Sequence, residues 1–549
     1  MSARARLSRR SVLSMFAAGA TFAVGGGLLA GCAERKSGKG NAEDEDALAK
    51  LLPDYTEYSI VKPDLPAAKY VLPGFTKYPT DLVRALTEKP VTSGKEITAM
   101  TPLWGPIPPG VGSNSFFDAN AERLGAQIRF QIVNGNDYGE KLSAILGAGD
   151  VPELLCIPKW NSDYIGGFNE AVGKLFEDLT PYLSGGNVKP YPLLANLPTR
   201  AWAYGVYNQQ LKGVPFPSDT FPFGMLYRKD ILDGLGLAEP KTADELLDVA
   251  KKLTDPAAGR WGLGGFDQEV RRIFGAPSEW RKVGDDLVHM YETDEFVAAV
   301  EFMRRVYDAG VVHPDVVANK QTDTKVLFES GKVVMYQDGL GGWKEMAGRQ
   351  VSVNPEFVAG VLVPFAHDGG TAIVYKNEPA SIFTFIRKGL GEDRVKELLG
   401  ALNYTAAPYG TEEFQRYTYG VEGTHYTRDA NGAPQKTALG SKEVAETYIF
   451  LGGRPLAITE AEIPGYVQAA HTWQTKAAPL VEESPFEGIR VERPSNYSAI
   501  QQPTEDKLAD VVRGRRPVSE VKQIVSEWRQ GGGDEGKEFY AKVLSDNGR

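Results

Sequence analysis

Along residues 96–157, segments with the apolar spacing of a β-strand alternate with segments that have the apolar spacing of a helix, and this order predicts an α/β layer. Residues 127–133 alternate polar and apolar side chains, as a strand with one buried face does. The order strand, helix, strand, helix, strand is typical of a mainly parallel sheet covered by helices. The predicted elements are strands at 96–103, 127–133 and 154–157, a helix at 115–124 closed by Gly125, and a helix carrying Leu142, Ile145 and Leu146 on one face.

A second block of the same kind follows the turn-rich residues 211–217. Residues 225–228 form an apolar run of strand length, and Thr242 to Glu245 has the spacing of a capping box. Apolar residues at helical spacing continue from there to Leu253, where Asp255-Pro256 ends the predicted helix. A helix ending at Ser330, the strand 333–336 and the loop 337–343 come next, and the C-terminal third is mostly helical. No internal repeat is present, so a repeat array is excluded.

The first 32 residues have the pattern of an export signal. Four arginines precede the uncharged run 11–31, and Leu29-Ala30-Gly31-Cys32 resembles a bacterial lipobox, in which Cys32 is lipidated and becomes the mature N-terminus. The residues around Arg9-Arg10 resemble a twin-arginine (Tat) signal, although Val12 and Ser14 depart from its commonest form. Export by the Sec route and an uncleaved membrane helix are the alternatives. Residues 33 to about 52 are charged and small, and they are interpreted as a tether.

Charge and cysteine content narrow the functional classes. The chain has 549 residues and a net charge of −10, and cleavage before Cys32 would remove four arginines and no acid, giving −14. An acidic surface disfavours nucleic acid as a partner. Cys156 would be the one remaining cysteine, so no intrachain disulfide is expected, and the five histidines show no metal-ligand spacing. We therefore expect neither a metal nor another cofactor, and a chain of this length predicts two or more domains.

Four sequence blocks resemble the family 1 extracellular solute-binding proteins, specifically their large lipoprotein branch associated with oligosaccharide import. The most specific block is 226–246, in which a strand, a turn and a capped helix follow one another in a fixed pattern of residue types. The four blocks are residues 211–215, 226–246, 328–335 and 419–426.

The resemblance implies a two-lobed α/β fold of the periplasmic-binding-protein type (type II), with the ligand in a cleft between the lobes. It places lobe one at 95–221 plus 359–400 and lobe two at 222–358 plus 401–549, after a signal peptide at 1–31 and a lipidated, surface-wrapping segment at 32–94. It also implies an extracytoplasmic monomer that is lipid-anchored to the outer face of the cytoplasmic membrane and delivers a carbohydrate to the membrane subunits of an ABC transporter. Some relatives carry a calcium loop after the capped helix, but residues 255–261 lack the oxygen ligands that calcium requires.

The candidate ligand contacts are aromatic and short polar side chains in loops that follow predicted strands. A sugar presents apolar C–H faces and a rim of hydroxyls, so its site needs flat rings together with hydrogen-bonding groups. The carboxyl ends of parallel strands are where α/β proteins place such loops. Tyr404, Glu422 and His425 come from the C-terminal blocks, and they either line the cleft or brace it. The predicted contacts are Trp104, Ser113, Asn114, Ser115, Trp160, Tyr227, Trp280, Asp338, Trp343 and Tyr404.

Two other functions remain open from the sequence. A surface glycosidase would need a carboxylate pair, for example Glu279 with Asp338 or Glu422, at a set separation that a sequence does not reveal. The second alternative is a binding protein with the same two lobes whose ligand is a peptide or another polar solute. We interpret the chain as a binding protein and not an enzyme, because acidic residues are numerous enough for candidate pairs to arise without catalysis.

Overall fold

The computed structural model describes residues 45–318, 324–351, 353–430, 432–491 and 493–549. The predicted signal peptide, the lipobox with Cys32 and most of the tether lie outside these residues. No helix in the described ranges is both long and apolar enough to cross a bilayer.

The strands are β1 Ile97–Leu103, β2 Ile128–Asn134, β3 Leu154–Pro158, β4 Val206–Tyr207, β5 Gln210–Leu211, β6 Gly213–Pro217, β7 Gly224–Arg228, β8 Trp261–Leu263, β9 Trp280–Val283, β10 Asp286–His289, β11 Val333–Asp338, β12 Ala359–Val361, β13 Val374–Tyr375, β14 Ala380–Ile386, β15 Tyr426–Arg428, β16 Pro434–Lys436 and β17 Val481–Glu482. The α-helices are α1 Glu45–Ala49, α2 Ser115–Leu124, α3 Tyr138–Ala148, α4 Lys159–Ser162, α5 Phe168–Leu175, α6 Thr180–Leu183, α7 Thr199–Ala203, α8 Lys229–Gly234, α9 Ala243–Leu253, α10 Asp267–Ile273, α11 Asp294–Asp308, α12 Pro314–Val317, α13 Thr324–Glu329, α14 Leu340–Gln350, α15 Glu392–Thr405, α16 Glu412–Tyr419, α17 Ala438–Glu443, α18 Tyr466–Ala477, α19 Ser495–Val512, α20 Val521–Trp528 and α21 Asp534–Asp546.

Two separate sheets carry the architecture. The first has the order β2-β1-β3-β14-β6, with β1 parallel to β2 and β3, and β14 antiparallel to β3 and β6. The second has the order β12-β7-β11-β8, in which β11 is parallel to β8 and antiparallel to β7. Helices pack on both sheets, and this confirms the predicted α/β class.

The first sheet belongs to one hydrophobic core, and the second sheet contributes residues to two others, so the cores separate the two lobes. The core around the first sheet includes Ile97, Leu155 and Phe385, and it extends through α15 and α16 as far as Leu451. Residues 401–451 therefore pack with lobe one, whereas the sequence assigned them to lobe two. The difference arises because every residue of α15 from Leu398 to Thr405 is buried, so a boundary at residue 400 would divide a helix that lies within one core.

Two chain crossings between the lobes are hydrogen-bonded to each other. The Ser218 amide donates to the Pro379 carbonyl at 2.9 Å, and the Asn377 amide donates to the Thr220 carbonyl at 2.8 Å. The Asn377 side chain donates to the carbonyl of Asp219 at 3.0 Å. The second crossing thus lies near residue 377 and not at 359, because β12 still pairs with β7 in the second sheet. The paired crossings form the floor between the lobes.

Candidate functional site

Four aromatic rings form a continuous row on lobe one. Trp160 is 43 % exposed, and its ring centroid lies 6.1 Å from that of Trp104. Trp104 lies 5.8 Å from Phe450, which stacks on Phe216 at 6.0 Å with 23° between the ring planes. We call these four residues the aromatic row. Its partly exposed rings offer an apolar surface longer than a single sugar ring.

The sequence places the two tryptophans at the same sheet edge. Trp104 follows β1 and Trp160 follows β3, and these strands are parallel and adjacent, so their carboxyl ends meet. Gly135, just after β2, leaves room for the indole, because a Cβ there would lie 2.1 Å from the Trp104 ring. The sequence predicted both tryptophans as ligand contacts because each follows a strand, and the structure places their rings side by side.

Phe216 and Phe450 were missed by the sequence analysis. Phe216 lies within β6, and Phe450 is brought beside it by the segment Gly452-Gly453. A Cβ on Gly453 would lie 2.3 Å from the Pro217 side chain and 2.5 Å from the Phe216 backbone, so only glycine allows this approach. The Gly-Gly pair that follows Phe450 closely was the one feature of the sequence that indicated such a close approach.

Lobe two presents glycines and charged groups at the corresponding edge. Asp338 ends β11, and its carboxylate accepts hydrogen bonds from Tyr336 Oη at 2.9 Å and from the Gly339 amide at 2.8 Å. Cβ atoms placed on Gly265 or Gly341 would meet nothing within 4 Å, so backbone is open there. Of the predicted contacts in lobe two, Asp338 is the one that the structure places at this edge.

The lobe-one part of the floor carries an ion-pair cluster beside Trp160. Lys159 Nζ lies 3.1 Å from Asp163 Oδ2 and 3.5 Å from Glu378 Oε1. Burial raises the pKa of Glu378, and Lys159 counteracts that rise, although the Glu378 side chain is 38 % exposed.

A second cluster lies where the floor meets lobe two. Lys344 Nζ on α14 lies 2.8 Å from Glu460 Oε1, and Asp219 of the first crossing lines the same small cavity of about 30 Å³. Burial raises the pKa of Asp219, and Lys344 partly offsets it. Within the described part of the chain, no hydrogen bond to the Asp219 carboxylate is found. A cavity of this size accommodates water and no sugar ring.

The structure corrects the sequence-based prediction at four aromatic residues, because their side chains are inside the protein. Trp280 is 4 % exposed and packs 4.7 Å from His289 in the lobe-two core. Trp343 donates to the Ala359 carbonyl at 3.0 Å, Tyr404 donates to Asn120 Oδ1 at 3.0 Å, and Tyr227 hydrogen-bonds Glu239. The polar groups of Trp343, Tyr404 and Tyr227 are thus satisfied in the interior, whereas Trp280 Nε1 is buried without a partner among the described residues.

The polar residues at the start of α2 are capping and anchoring groups. The Asn114 side chain accepts hydrogen bonds from the amides of Phe116 and Phe117, and Ser115 Oγ donates to Glu443 at 2.6 Å. His425 Nε2 lies 3.0 Å from Ser115 Oγ, but His425 Nδ1 accepts from the Val421 amide. His425 Nε2 therefore carries the proton and cannot serve as a base for Ser115, so this trio braces the helix. Ser113 is exposed, and its amide donates to the Gly110 carbonyl within the same loop.

No group of three or more potential metal ligands occurs among the described residues. At the position compared above with calcium loops, the Asp255 side chain accepts a hydrogen bond from the Ala258 amide at 3.2 Å and caps a short 3₁₀ turn.

Replacing Glu462 by glutamine is expected to stabilise the protein at high pH. Burial, with Glu460 nearby, raises the pKa of Glu462 from 4.5 to about 7. The folded state therefore retains a proton that the unfolded chain releases, so stability falls as pH rises between these values. Glu462→Gln should add about 1–3 kcal/mol at pH 8 and little at pH 5. Thermal melts at both pH values measure this, with the exposed Glu301→Gln as control; equal gains at both pH values would contradict the assignment.

The chain matches the family described as bacterial extracellular solute-binding protein over residues 106–385. This match covers half of the chain, and the chain therefore belongs to that family, as the sequence blocks predicted.

Two relatives from Bacillus subtilis (strain 168) are similar in sequence. The polygalacturonan/rhamnogalacturonan-binding protein YtcQ is 23 % identical over 440 residues, which cover 74 % of this chain and 83 % of the relative. Lipoprotein LipO is 28 % identical over 258 residues, 43 % of this chain and 49 % of the relative.

A solved structure shows the same fold. The N-glycan transport solute-binding protein NgtS of Streptococcus pneumoniae, in complex with Man1GlcNAc, superposes with a TM-score of 0.61 at 14 % identity, covering 83 % of this chain and all of NgtS. The two-lobed architecture is thus shared with a substrate-binding protein of known fold.

Proposed function

We propose that this protein captures an oligosaccharide outside the cell and delivers it to an ABC transporter. The main support for this proposal is the aromatic row. Its partly exposed rings lie one after another in space, and such an arrangement matches the repeated apolar faces of a sugar chain. The sugar-binding names of YtcQ and NgtS support a carbohydrate ligand.

The proposed contacts are Trp104 and Trp160 with Phe450 and Phe216 on lobe one, and Asp338 with the open glycine edge on lobe two. A ligand that bridges both lobes favours the closed state, and the closed state is the form that membrane subunits would recognise. Loop residue Gly105 already approaches lobe two, since a Cβ there would lie 3.9 Å from Glu345 Oε1.

The proposed location is the outer face of the cytoplasmic membrane, with Cys32 lipidated after export. The lipobox pattern supports this location, and LipO is a relative named as a lipoprotein. Labelling cells with radioactive palmitate tests the anchor, and label on a Cys32→Ser variant equal to that on the unchanged protein would contradict it.

Thermal shift of the purified protein against mono- and oligosaccharides tests the function. A bound sugar is expected to raise the melting temperature and to be recovered unchanged in length, because binding to the folded state stabilises it without catalysis. Shortened products would instead indicate a glycosidase. A rise in melting temperature with peptides and with no sugar would indicate a peptide-binding protein.

A further inference from the structure

A loop of lobe two reaches across to lobe one beside the paired crossings. It consists of residues 484–491, which follow β17, and we call it the bridging loop. Phe486 and Val491, near its two ends, pack against a hydrophobic core of lobe two. Glu487 forms an ion pair with Lys376, which lies directly before the second crossing. The base of the bridging loop is therefore held on lobe two.

The tip of the bridging loop contacts lobe one through two residues. The Gly488 amide donates to Tyr204 Oη at 3.1 Å. Arg490 Nη2 donates to Asn169 Oδ1 at 2.9 Å, and the Arg490 guanidinium carbon lies 3.6 Å from the centroid of the Tyr207 ring, which is a cation–π contact. Tyr204 and Tyr207 belong to the lobe-one core, and Asn169 lies on α5 of the same lobe. These contacts join the two lobes outside the covalent crossings.

Arg490 makes its closest contacts with neutral groups of the other lobe. Among the described residues, no carboxylate forms an ion pair with Arg490, and its partners are the Asn169 amide oxygen and an aromatic ring. Burial raises the pKa of Glu378, and Lys159 together with Arg490 offsets part of that rise, so the guanidinium lies near the second crossing. Because the bridging loop is held on lobe two, separation of the lobes would break both contacts of Arg490.

We infer that Arg490 is a positioning residue for ligand capture, because its contacts with Asn169 and Tyr207 hold the lobes together before the ligand arrives. This inference rests on the proposed function, and it adds a residue that sets the affinity of the cleft without touching the sugar. A ligand that bridges both lobes binds more tightly in proportion to the population of the arrangement that it fits. Arg490 raises that population in the sugar-free protein.

Small-angle X-ray scattering of the sugar-free protein tests the contact between the lobes without any ligand. Arg490→Ala and Asn169→Ala should each increase the radius of gyration, and the double variant should equal Arg490→Ala, since both substitutions remove the same hydrogen bond. Each variant is measured at a temperature at which circular dichroism shows that it is folded. Arg305→Ala is the matched control and should change nothing, because Arg305 is 58 % exposed and pairs with Asp244 inside lobe two at 2.8 Å. An unchanged radius of gyration in Arg490→Ala would overturn the inference, whatever the protein binds.

Calorimetric titration with maltotriose, mannotriose, xylotriose and trigalacturonate tests the effect on capture. Every trisaccharide that binds the unchanged protein should bind Arg490→Ala about five- to thirtyfold more weakly, and by the same factor, because the substitution shifts a population and removes no contact to the sugar. Arg490→Lys keeps a positive charge and should recover part of the loss.

The pattern across the trisaccharides separates this role from direct binding. A loss confined to trigalacturonate would overturn the inference, because Arg490 would then contact the acid group of the sugar. Failure of all four trisaccharides to bind the unchanged protein would count against the proposed function alone, since the scattering comparison needs no sugar.

Discussion

Replacing Trp104 and Trp160 together by alanine is expected to lower oligosaccharide affinity by more than a hundredfold. Truncating a central aromatic contact typically costs 2 kcal/mol or more, so loss of the pair should cost about 3–4 kcal/mol. The ring centroids are 6.1 Å apart, so the two single losses should not add. Titration of the two single variants and the double variant measures the coupling directly.

The melting temperature of each variant distinguishes a loss of binding from a loss of folding in this experiment. Trp160 is 43 % exposed, so its removal should change the melting temperature little. Trp261→Ala is the matched control, because Trp261 begins β8 at the end opposite the cleft and packs 4.7 Å from His313. This control should lower the melting temperature and preserve affinity. A double variant that binds within threefold of the unchanged protein would exclude the aromatic row as the sugar-binding surface.

Local signals in the sequence predicted the regular elements well. The helix 115–124 has the predicted bounds, the strand 127–133 is shifted by one residue, and the capped helix follows Thr242 as expected. The Thr242 hydroxyl accepts from the Glu245 amide, which is one of the two interactions of a capping box, and the Glu245 side chain accepts from the Lys241 amide in place of the second. These features depend on residues close in sequence, so the pattern alone is sufficient.

The structure brings predicted aromatic residues together only where the order of the strands determines their position. Trp104 and Trp160 follow parallel neighbouring strands, and that topology brings them together without further information. Trp280 and Trp343 have similar polar and glycine-rich neighbours, but their burial depends on distant elements. Trp280 packs against Tyr497 and Tyr540, more than two hundred residues away. Phe450 was missed because its partner Phe216 is equally remote in sequence.

Removing Glu269 is expected to destabilise lobe two more than any other single carboxylate loss considered for this protein. Glu269 and Arg272 on α10 form an ion pair whose side chains are 3 % and 4 % exposed, with Arg272 Nε 3.0 Å from Glu269 Oε2. Glu269→Ala leaves a buried guanidinium without its counter-charge, and such a change costs about 3–5 kcal/mol. Thermal and urea unfolding measure the loss.

The pair also connects the core of lobe two to a crossing. Arg272 Nη1 donates to the Ile373 carbonyl at 2.7 Å, directly before β13 and the crossing that carries Glu378. Glu269→Ala should therefore lower stability while sugar affinity, measured well below its melting temperature, stays within threefold. The double variant Glu269→Ala/Arg272→Leu should recover part of the loss, because no unpaired charge remains, although the Ile373 carbonyl then lacks its donor. A single variant that loses less than about 1 kcal/mol would mean that water or another group compensates Arg272, contrary to its burial.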